Sequence, residues 1–213
     1  MALIGASFGF DVLVSISPKP FESVAKYKSS LEENPQETIL KAYYFKGSKS
    51  KLRDWTEKRR ILLTADNTAV ELTDAEINAW IADKLQKQRF YFSGEDSDSK
   101  AYIVVGLPNI FTSVDEGIHF SLPLEIITFE KQVNFLLIGQ GYFSENDPAK
   151  FRLSQLRLNE ALIPFTEKQL YSYILNPLLE SCYESDELVA VKEAWKKVDT
   201  VELTENGVRL NLD

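Results

Sequence analysis

The clearest pattern along the chain is an alternation of apolar and polar positions between residues 88 and 159. It is most regular after Gly117, where apolar side chains would share one face of a strand: Ile118, Phe120, Leu122, Leu124 and Ile126. A period of two residues is typical of a β-strand, and successive strands joined by short turns favour an antiparallel sheet. We therefore predict a series of antiparallel strands, with a hairpin turn at residues 115–117 and a bend or bulge at Gly139 and Gly141.

Two strands of this series, "YIVV" and "FLLIG", are apolar on both faces. A sheet with one face in water is expected to alternate instead. Either helices cover the second face, or the sheet curls around an apolar interior. The predicted fold class is α+β, with a strongly curved antiparallel sheet of about six strands wrapped on long C-terminal helices and preceded by a helical N-terminal extension.

The predicted cover for the sheet follows the strands. Residues 166–198 carry apolar side chains at intervals of three and four, which predicts a helix that Pro177 kinks or splits. The chain then ends with two short alternating runs around Asn206-Gly207. This dipeptide between alternating runs predicts a β-hairpin.

A second helix is predicted before the strands, in "VELTDAEINAWIADKL". Thr73 and Glu76 have the residue types and the spacing of a capping box, so the helix should begin after Thr73. Ile77 and Trp80 are expected to face the sheet, and Asn78 is expected to point outward.

A stretch rich in basic residues gives way to a short apolar run at Ile61, and we predict a domain boundary there. Residues 1–60 would form the N-terminal extension, and residues 61–213 the α+β domain. Within the extension, residues 1–16 are mostly apolar, which predicts either a buried first element or a marginal membrane anchor. Residues 22–45 are predicted to be helical in two pieces.

A basic segment, residues 46–60, closes the extension with seven basic and two acidic residues. The ordinary interpretation is a solvated linker or helix face. The alternative is a contact surface for a polyanion, a lipid headgroup or a partner protein.

The composition excludes several classes of function. A net charge of −8 argues against a nucleic-acid partner, because phosphate binding depends on clustered Lys and Arg. One histidine, His119, and one cysteine, Cys182, provide neither a His/Cys metal cluster nor an intrachain disulfide. His119 is predicted to be an exposed strand residue and Cys182 a structural thiol. No glycine-rich phosphate loop or nucleophile motif is present, so we predict no catalytic residue, no metal, no cofactor and no enzymatic activity.

The order of the predicted elements resembles one family. From residue 68 to 213, a strand running into the "LTDAEIN" helix start, then antiparallel strands, a long helix and a last strand resemble bacterial single-module members of the tubular lipid-binding (TULIP) superfamily. The resemblance implies a curled sheet wrapped on a long helix, with an apolar groove able to hold an acyl chain. This chain departs from the family in lacking a lipobox cysteine and in carrying residues 1–60.

The predicted function is non-enzymatic binding of an apolar or lipid-like ligand at the bacterial cell envelope, which is favoured over the cytoplasm. Membrane association would use residues 1–16. The predicted groove is lined by Phe120, Leu122, Leu124, Phe135 and Leu137, against Leu170, Ile174 and Leu178. The alternative is a structural or interaction protein of the envelope, in which the same residues form a sealed core.

Overall fold

A computed structural model describes residues 19–21, 29, 33, 43–45, 49–91, 101–115, 117–128, 131–144, 147–159, 161–162 and 186–213. Several predictions fall outside these residues: the apolar start at 1–16, Cys182, and the predicted groove residues Leu170, Ile174 and Leu178. Within the described part of the chain, no helix has the length and apolar character needed to cross a membrane.

Helices and strands alternate only at the two ends of the described chain, and strands fill its middle. The bounds are β1 Lys19–Phe21, β2 Tyr43–Phe45, α1 Lys49–Thr64, β3 Ala69–Thr73, α2 Asp74–Lys84, β4 Gln88–Tyr91, β5 Tyr102–Val105, β6 Asn109–Ser113, β7 Gly117–Thr128, β8 Lys131–Ser144, β9 Asp147–Leu158, β10 Ala161–Leu162, α3 Asp186–Trp195, β11 Val198–Thr204 and β12 Gly207–Leu212. The fold class is α+β, as predicted.

The central strands form one antiparallel sheet in the order β10-β9-β8-β7-β5-β4, with β6 also paired to β7. Strands β5 and β6 pair with different parts of β7, since β6 matches its first residues and β5 its last. The sheet thus has six strand positions, in agreement with the prediction. The register of β8 against β9 shifts between Gln140 and Gly141, which confirms the predicted irregularity at these glycines.

A separate sheet contains three strands in the order β11-β12-β3. The predicted C-terminal hairpin is confirmed, because Thr204 pairs with Gly207 across the turn. Strand β12 pairs with β3 on its other side, with Gly207 opposite Thr73, which brings the hairpin turn beside the start of α2. The Asp74 N–H donates to the Asn206 carbonyl at 2.8 Å, so the hairpin turn also meets the first residue of α2.

The predicted strong curl and the long C-terminal helices are not found in the described residues. The sheet is open, and both faces of β8 are covered instead: the consecutive side chains Phe135, Leu136 and Leu137 are all buried. Apolar residues on both faces therefore reflect burial from two sides, not closure of the sheet on itself. The described C-terminal helix α3 has 10 residues and ends at Trp195, because Val198 is already paired with Leu212 in a strand.

One prediction for the N-terminal part also differs from the structure. Residues 43–45 are a strand, β2, paired in parallel with β1, and not the end of a helix. The basic segment belongs largely to α1, which continues across the predicted boundary at residue 61. Trp55 and Leu62, on either side of that point, are both buried in the same apolar core.

Helix α2 begins as predicted. The Glu76 N–H donates to Thr73 Oγ1 at 3.3 Å, and the Thr73 N–H donates to Glu76 Oε2 at 2.8 Å, which completes the capping box. Glu76 is itself buried and also accepts from Lys58 Nζ at 2.8 Å. One basic residue of α1 therefore holds α1 against the start of α2.

The predicted outward position of Asn78 is wrong, because its side chain is buried against β6. The Ile110 N–H donates to Asn78 Oδ1 and Asn78 Nδ2 donates to the Ile110 carbonyl, both at 2.8 Å. One turn earlier, Asp74 accepts from the Thr112 N–H at 3.0 Å and from Thr112 Oγ1 at 2.9 Å. Four residues of helix rise about 6 Å and two residues of strand about 6.6 Å, so the two pairs match. We call Asp74 and Asn78 with their partners on β6 the polar clamp.

Candidate functional site

An apolar cavity of about 400 Å³ lies between the sheet, α1, α2, α3 and the three-stranded sheet. Its lining side chains are Trp55, Leu62, Leu72, Ile77, Trp80, Ile81, Pro108, Ile110, Ile118, Phe120, Leu122, Phe143, Phe151, Val191, Trp195 and Val208. None of these residues is charged, and the polar atoms among their side chains are indole N–H groups. The volume lies within the range of about 300–1,000 Å³ that is common for small-molecule sites.

The deep side of the cavity is built from the two N-terminal helices. Trp55 of α1 and Trp80 of α2 lie with their ring centroids 5.1 Å apart and tilted by 33°. Leu62 follows Trp55 by seven residues, two helical turns, so α1 presents both from one face. Both tryptophans are largely buried, with 3% and 8% of their surfaces exposed.

The sheet wall comes from alternate residues of β7, namely Ile118, Phe120 and Leu122. Phe120 stands opposite Gly139 in the register of β7 and β8. A Cβ atom at residue 139 would overlap the Phe120 ring, so the missing side chain makes room for the ring. A Cβ at Gly141 would likewise meet the ring of Phe151, another lining residue.

The rim of the cavity keeps contact with solvent, because several lining residues are only partly buried. Phe143 packs against Phe151 with centroids 5.6 Å apart and against Trp195 of α3 at 5.5 Å. Ile77, Pro108, Ile110 and Val191 are also half-buried lining residues. The cavity is therefore bordered by buried residues such as the two tryptophans and by half-buried residues of α2, β6 and α3.

The predicted groove residues are distributed unequally around this cavity. Phe120 and Leu122 line it. Leu124 and Leu137 occupy the same face of the sheet and pack in the core beside the lining residues. Phe135, opposite Leu124, is buried on that face as well. Sequence reasoning missed the contributions of α1, β12 and the rim, although the apolar spacing of Trp55 and Leu62 was a usable signal.

The histidine that could take part in catalysis or metal binding lies outside the cavity. His119 is buried, and not exposed as predicted, because it packs beside Phe111 with ring centroids 5.7 Å apart. It belongs to the face of β7 opposite to the cavity, since Ile118 and Phe120 take the other face. Among the residues that the structure describes, no group of three or more His, Cys, Asp or Glu side chains could hold a metal ion.

The indole N–H groups of Trp55 and Trp80 differ from the other buried polar side chains of α2. Neither Trp55 Nε1 nor Trp80 Nε1 has a hydrogen-bond acceptor in the described part of the chain, and both atoms are buried. Asp74, Glu76 and Asn78, on the same helix as Trp80, all have partners. The described walls of the cavity are thus apolar, and the two indole N–H groups are buried with almost no accessible surface.

No family model, curated protein or solved structure matches this chain. The resemblance to TULIP proteins therefore stays a prediction. Any assignment of function depends on the geometry of the cavity and on the chemistry of its walls.

Proposed function

We propose that this protein is a non-enzymatic binding protein that holds an apolar or lipid-like ligand in the cavity between the sheet and the helices. The single observation that carries the proposal is a cavity of about 400 Å³ whose walls are almost entirely hydrocarbon. Such walls favour a ligand that buries apolar surface, at roughly 25 cal/mol per Å².

The size of the cavity supports an occupant. The described walls of the cavity present almost only hydrocarbon to the space, and water in contact with such walls finds few hydrogen-bond partners. An apolar ligand would remove this surface from water without needing polar partners.

The chemistry of the lining supports binding over catalysis. General acid–base or nucleophilic catalysis needs a titratable or nucleophilic side chain within hydrogen-bond reach of the substrate. The described lining contributes none. The cell envelope remains the proposed location on the basis of the family resemblance.

The first test uses the full chain purified from cells under mild conditions. Native mass spectrometry should show a lipid-like adduct, and an apolar fluorescent dye should enter the protein after delipidation. All three tryptophans of the chain line the cavity, so their emission should change on binding.

A matched pair of variants locates the binding. Val191→Phe adds bulk to a lining residue and should weaken dye binding about tenfold. Val189→Phe places the same bulk two residues earlier on α3, at a position that is 59% exposed, and should leave binding unchanged. If native mass spectrometry showed no adduct and the dye did not enter the protein, the proposal would be contradicted. An interaction protein with a sealed core would then be favoured. Equal effects of the two variants would place the site elsewhere.

A further inference from the structure

One edge of the large sheet ends in a strand that carries exposed aromatic side chains. Strand β4 pairs with β5 on one side and stands last in the strand order of the described residues. Its two aromatic residues, Phe90 and Tyr91, are 37% and 41% exposed. Because neighbouring strand residues point to opposite faces, each face of β4 carries one exposed ring. A strand from another chain could therefore pair with the outer edge of β4 and pack its side chains against these rings.

The common protections of a sheet edge are weak in β4. The four residues of the strand pair with β5 in one continuous register, and none of them is proline. Bulges and prolines are devices that block pairing at an edge. The single charged residue of the strand, Arg89, has its guanidinium 4.8 Å from the centre of the Tyr102 ring on the neighbouring strand. The charge thus lies over its own sheet, and the edge is a regular one.

The order of side chains makes β4 complementary to a second copy of itself. Residues directly opposite each other in an antiparallel pair share a face, and a two-fold axis perpendicular to the sheet keeps each face unchanged. The axis must therefore pass beside one residue, which then lies opposite its own copy. With the axis at Phe90, the two Phe90 residues face each other, and Arg89 of each copy lies opposite Tyr91 of the other.

This register is better than its alternatives. An axis at Arg89 would place two guanidinium groups directly opposite each other, and like charges in that position are destabilising. An axis at Gln88 or Tyr91, the end residues, would pair few residues of β4 with each other. The axis at Phe90 gives an aromatic pair on one face and two arginine–tyrosine pairs on the other. Both kinds of cross-strand contact are stabilising.

We propose that two copies of this chain associate through β4, antiparallel about a two-fold axis at Phe90, so that their large sheets become continuous. The described sheet residues that line the cavity belong to the β6–β9 part of the sheet, so the contact leaves the cavity open. The inference is thus independent of the proposed ligand. Because β4 has only four residues, the contact area is small, and we expect a weak dimer that forms as the protein concentration rises.

The first test is sedimentation velocity of the full chain over a concentration series. The average mass should rise from one chain toward two, and the amide N–H groups of β4 should exchange with solvent more slowly at high concentration. Phe90→Lys places two ammonium groups opposite each other and should weaken dimerisation by about tenfold or more. Val114→Lys adds the same charge at another exposed apolar position and should leave dimerisation unchanged. Circular dichroism checks that both variants are folded.

Cysteine cross-linking tests the register, in a Cys182→Ser background that removes the native cysteine. Phe90→Cys should form a disulfide-linked dimer under mild oxidation, since opposite residues have Cβ atoms about 5 Å apart. Tyr91→Cys alone should cross-link poorly, because each copy lies diagonal to the other at about 7–8 Å. A mixture of Arg89→Cys and Tyr91→Cys proteins should cross-link efficiently.

Several results would overturn the proposal. One is a mass of a single chain at every concentration. A second is slow exchange of the β4 amides that does not depend on concentration, which would mean that another segment of the same chain covers the edge. A third is a dimer that Phe90→Lys does not weaken, or that cross-links at residue 91 and not at residue 90. The exchange measurement uses the wild-type chain, so it decides the question even if a variant folds poorly.

Discussion

The buried polar groups on the two sides of helix α2 differ in whether they have hydrogen-bond partners. On one side, the polar clamp gives Asp74 and Asn78 backbone partners on β6 at 2.8–3.0 Å. On the other side, Trp80 meets Trp55 at the end of a cavity, and both indole N–H groups lack acceptors among the described residues. The paired side chains of Asp74 and Asn78 hold α2 to β6, whereas the apolar walls on the other side of the helix border a cavity.

This comparison gives a general expectation for variants. Changes in the polar clamp should lower the free energy of unfolding and leave the ligand affinity of the folded protein unchanged. Changes in the cavity wall should alter affinity out of proportion to their effect on stability.

The largest effect is expected from Asp74→Leu. Asp74 is 1% exposed and accepts two hydrogen bonds from Thr112, so its loss leaves a buried N–H and a buried hydroxyl without acceptors. We expect the free energy of unfolding to fall by about 3 kcal/mol, measured by urea denaturation. Asp83→Leu, at an exposed position of the same helix, should change it by less than about 0.5 kcal/mol. A small effect at residue 74 would show that the clamp does not stabilise the fold.

Asn78→Leu should come next, at about 2 kcal/mol. The substitution removes both hydrogen bonds to the backbone of Ile110 and leaves a buried N–H and carbonyl on β6. Asn134→Leu on β8, where the side chain is exposed, provides the control. Ile110 also lines the cavity, so a loss of dye affinity in folded Asn78→Leu protein would break the proposed separation between clamp and cavity.

Gly139→Ala tests the cavity wall. The added methyl group would overlap the Phe120 ring and force it to move, at an expected cost of about 1.5 kcal/mol in stability. Dye affinity should fall as the ring shifts. The double variant Gly139→Ala/Phe120→Leu should regain stability, because the smaller side chain leaves room for the methyl group. If the two changes were simply additive, the ring would not be the cause.

The smallest effect is expected from Thr73→Ala, which removes the capping-box acceptor of the Glu76 N–H. The free energy of unfolding should decrease by about 1 kcal/mol, and dye affinity should stay the same. Thr73→Ser keeps a hydroxyl and should restore most of the stability. Selective loss of binding in Thr73→Ala would contradict the view that this residue belongs to the helix start and not to the site.

Local patterns were enough for part of this structure. The Thr73–Glu76 capping box and the turn at Asn206-Gly207 involve residues at most three positions apart, and both were predicted correctly. The alternation after Gly117 placed Phe120 and Leu122 on one face of β7, and both line the cavity. Each of these features depends on residues that are close in sequence, so a local sequence pattern is enough to predict it.

Contacts between distant residues could not be read in this way. Asn78 was expected to face solvent. Its hydrogen-bond partner, Ile110, lies 32 residues away on a strand whose position depends on the rest of the sheet, so the local pattern could not predict this contact. His119 was expected to be exposed, since alternation separates two faces but does not tell whether the second one is covered. The contact between the rings of Trp55 and Trp80 likewise forms only when α1 packs on α2.

By itself, the sequence determined the fold class, the starts and turns of several elements, and which residues of each strand share a face. Those properties follow from periods of two and 3.6 residues and from side chains that bond their own backbone. Only the tertiary structure decided that the polar side chains of α2 bond β6 while Trp80 packs on Trp55, and that the apolar walls enclose a space. Packing sums many weak contacts between residues far apart in the chain, so the difference between a filled core and a cavity appears only once those residues meet.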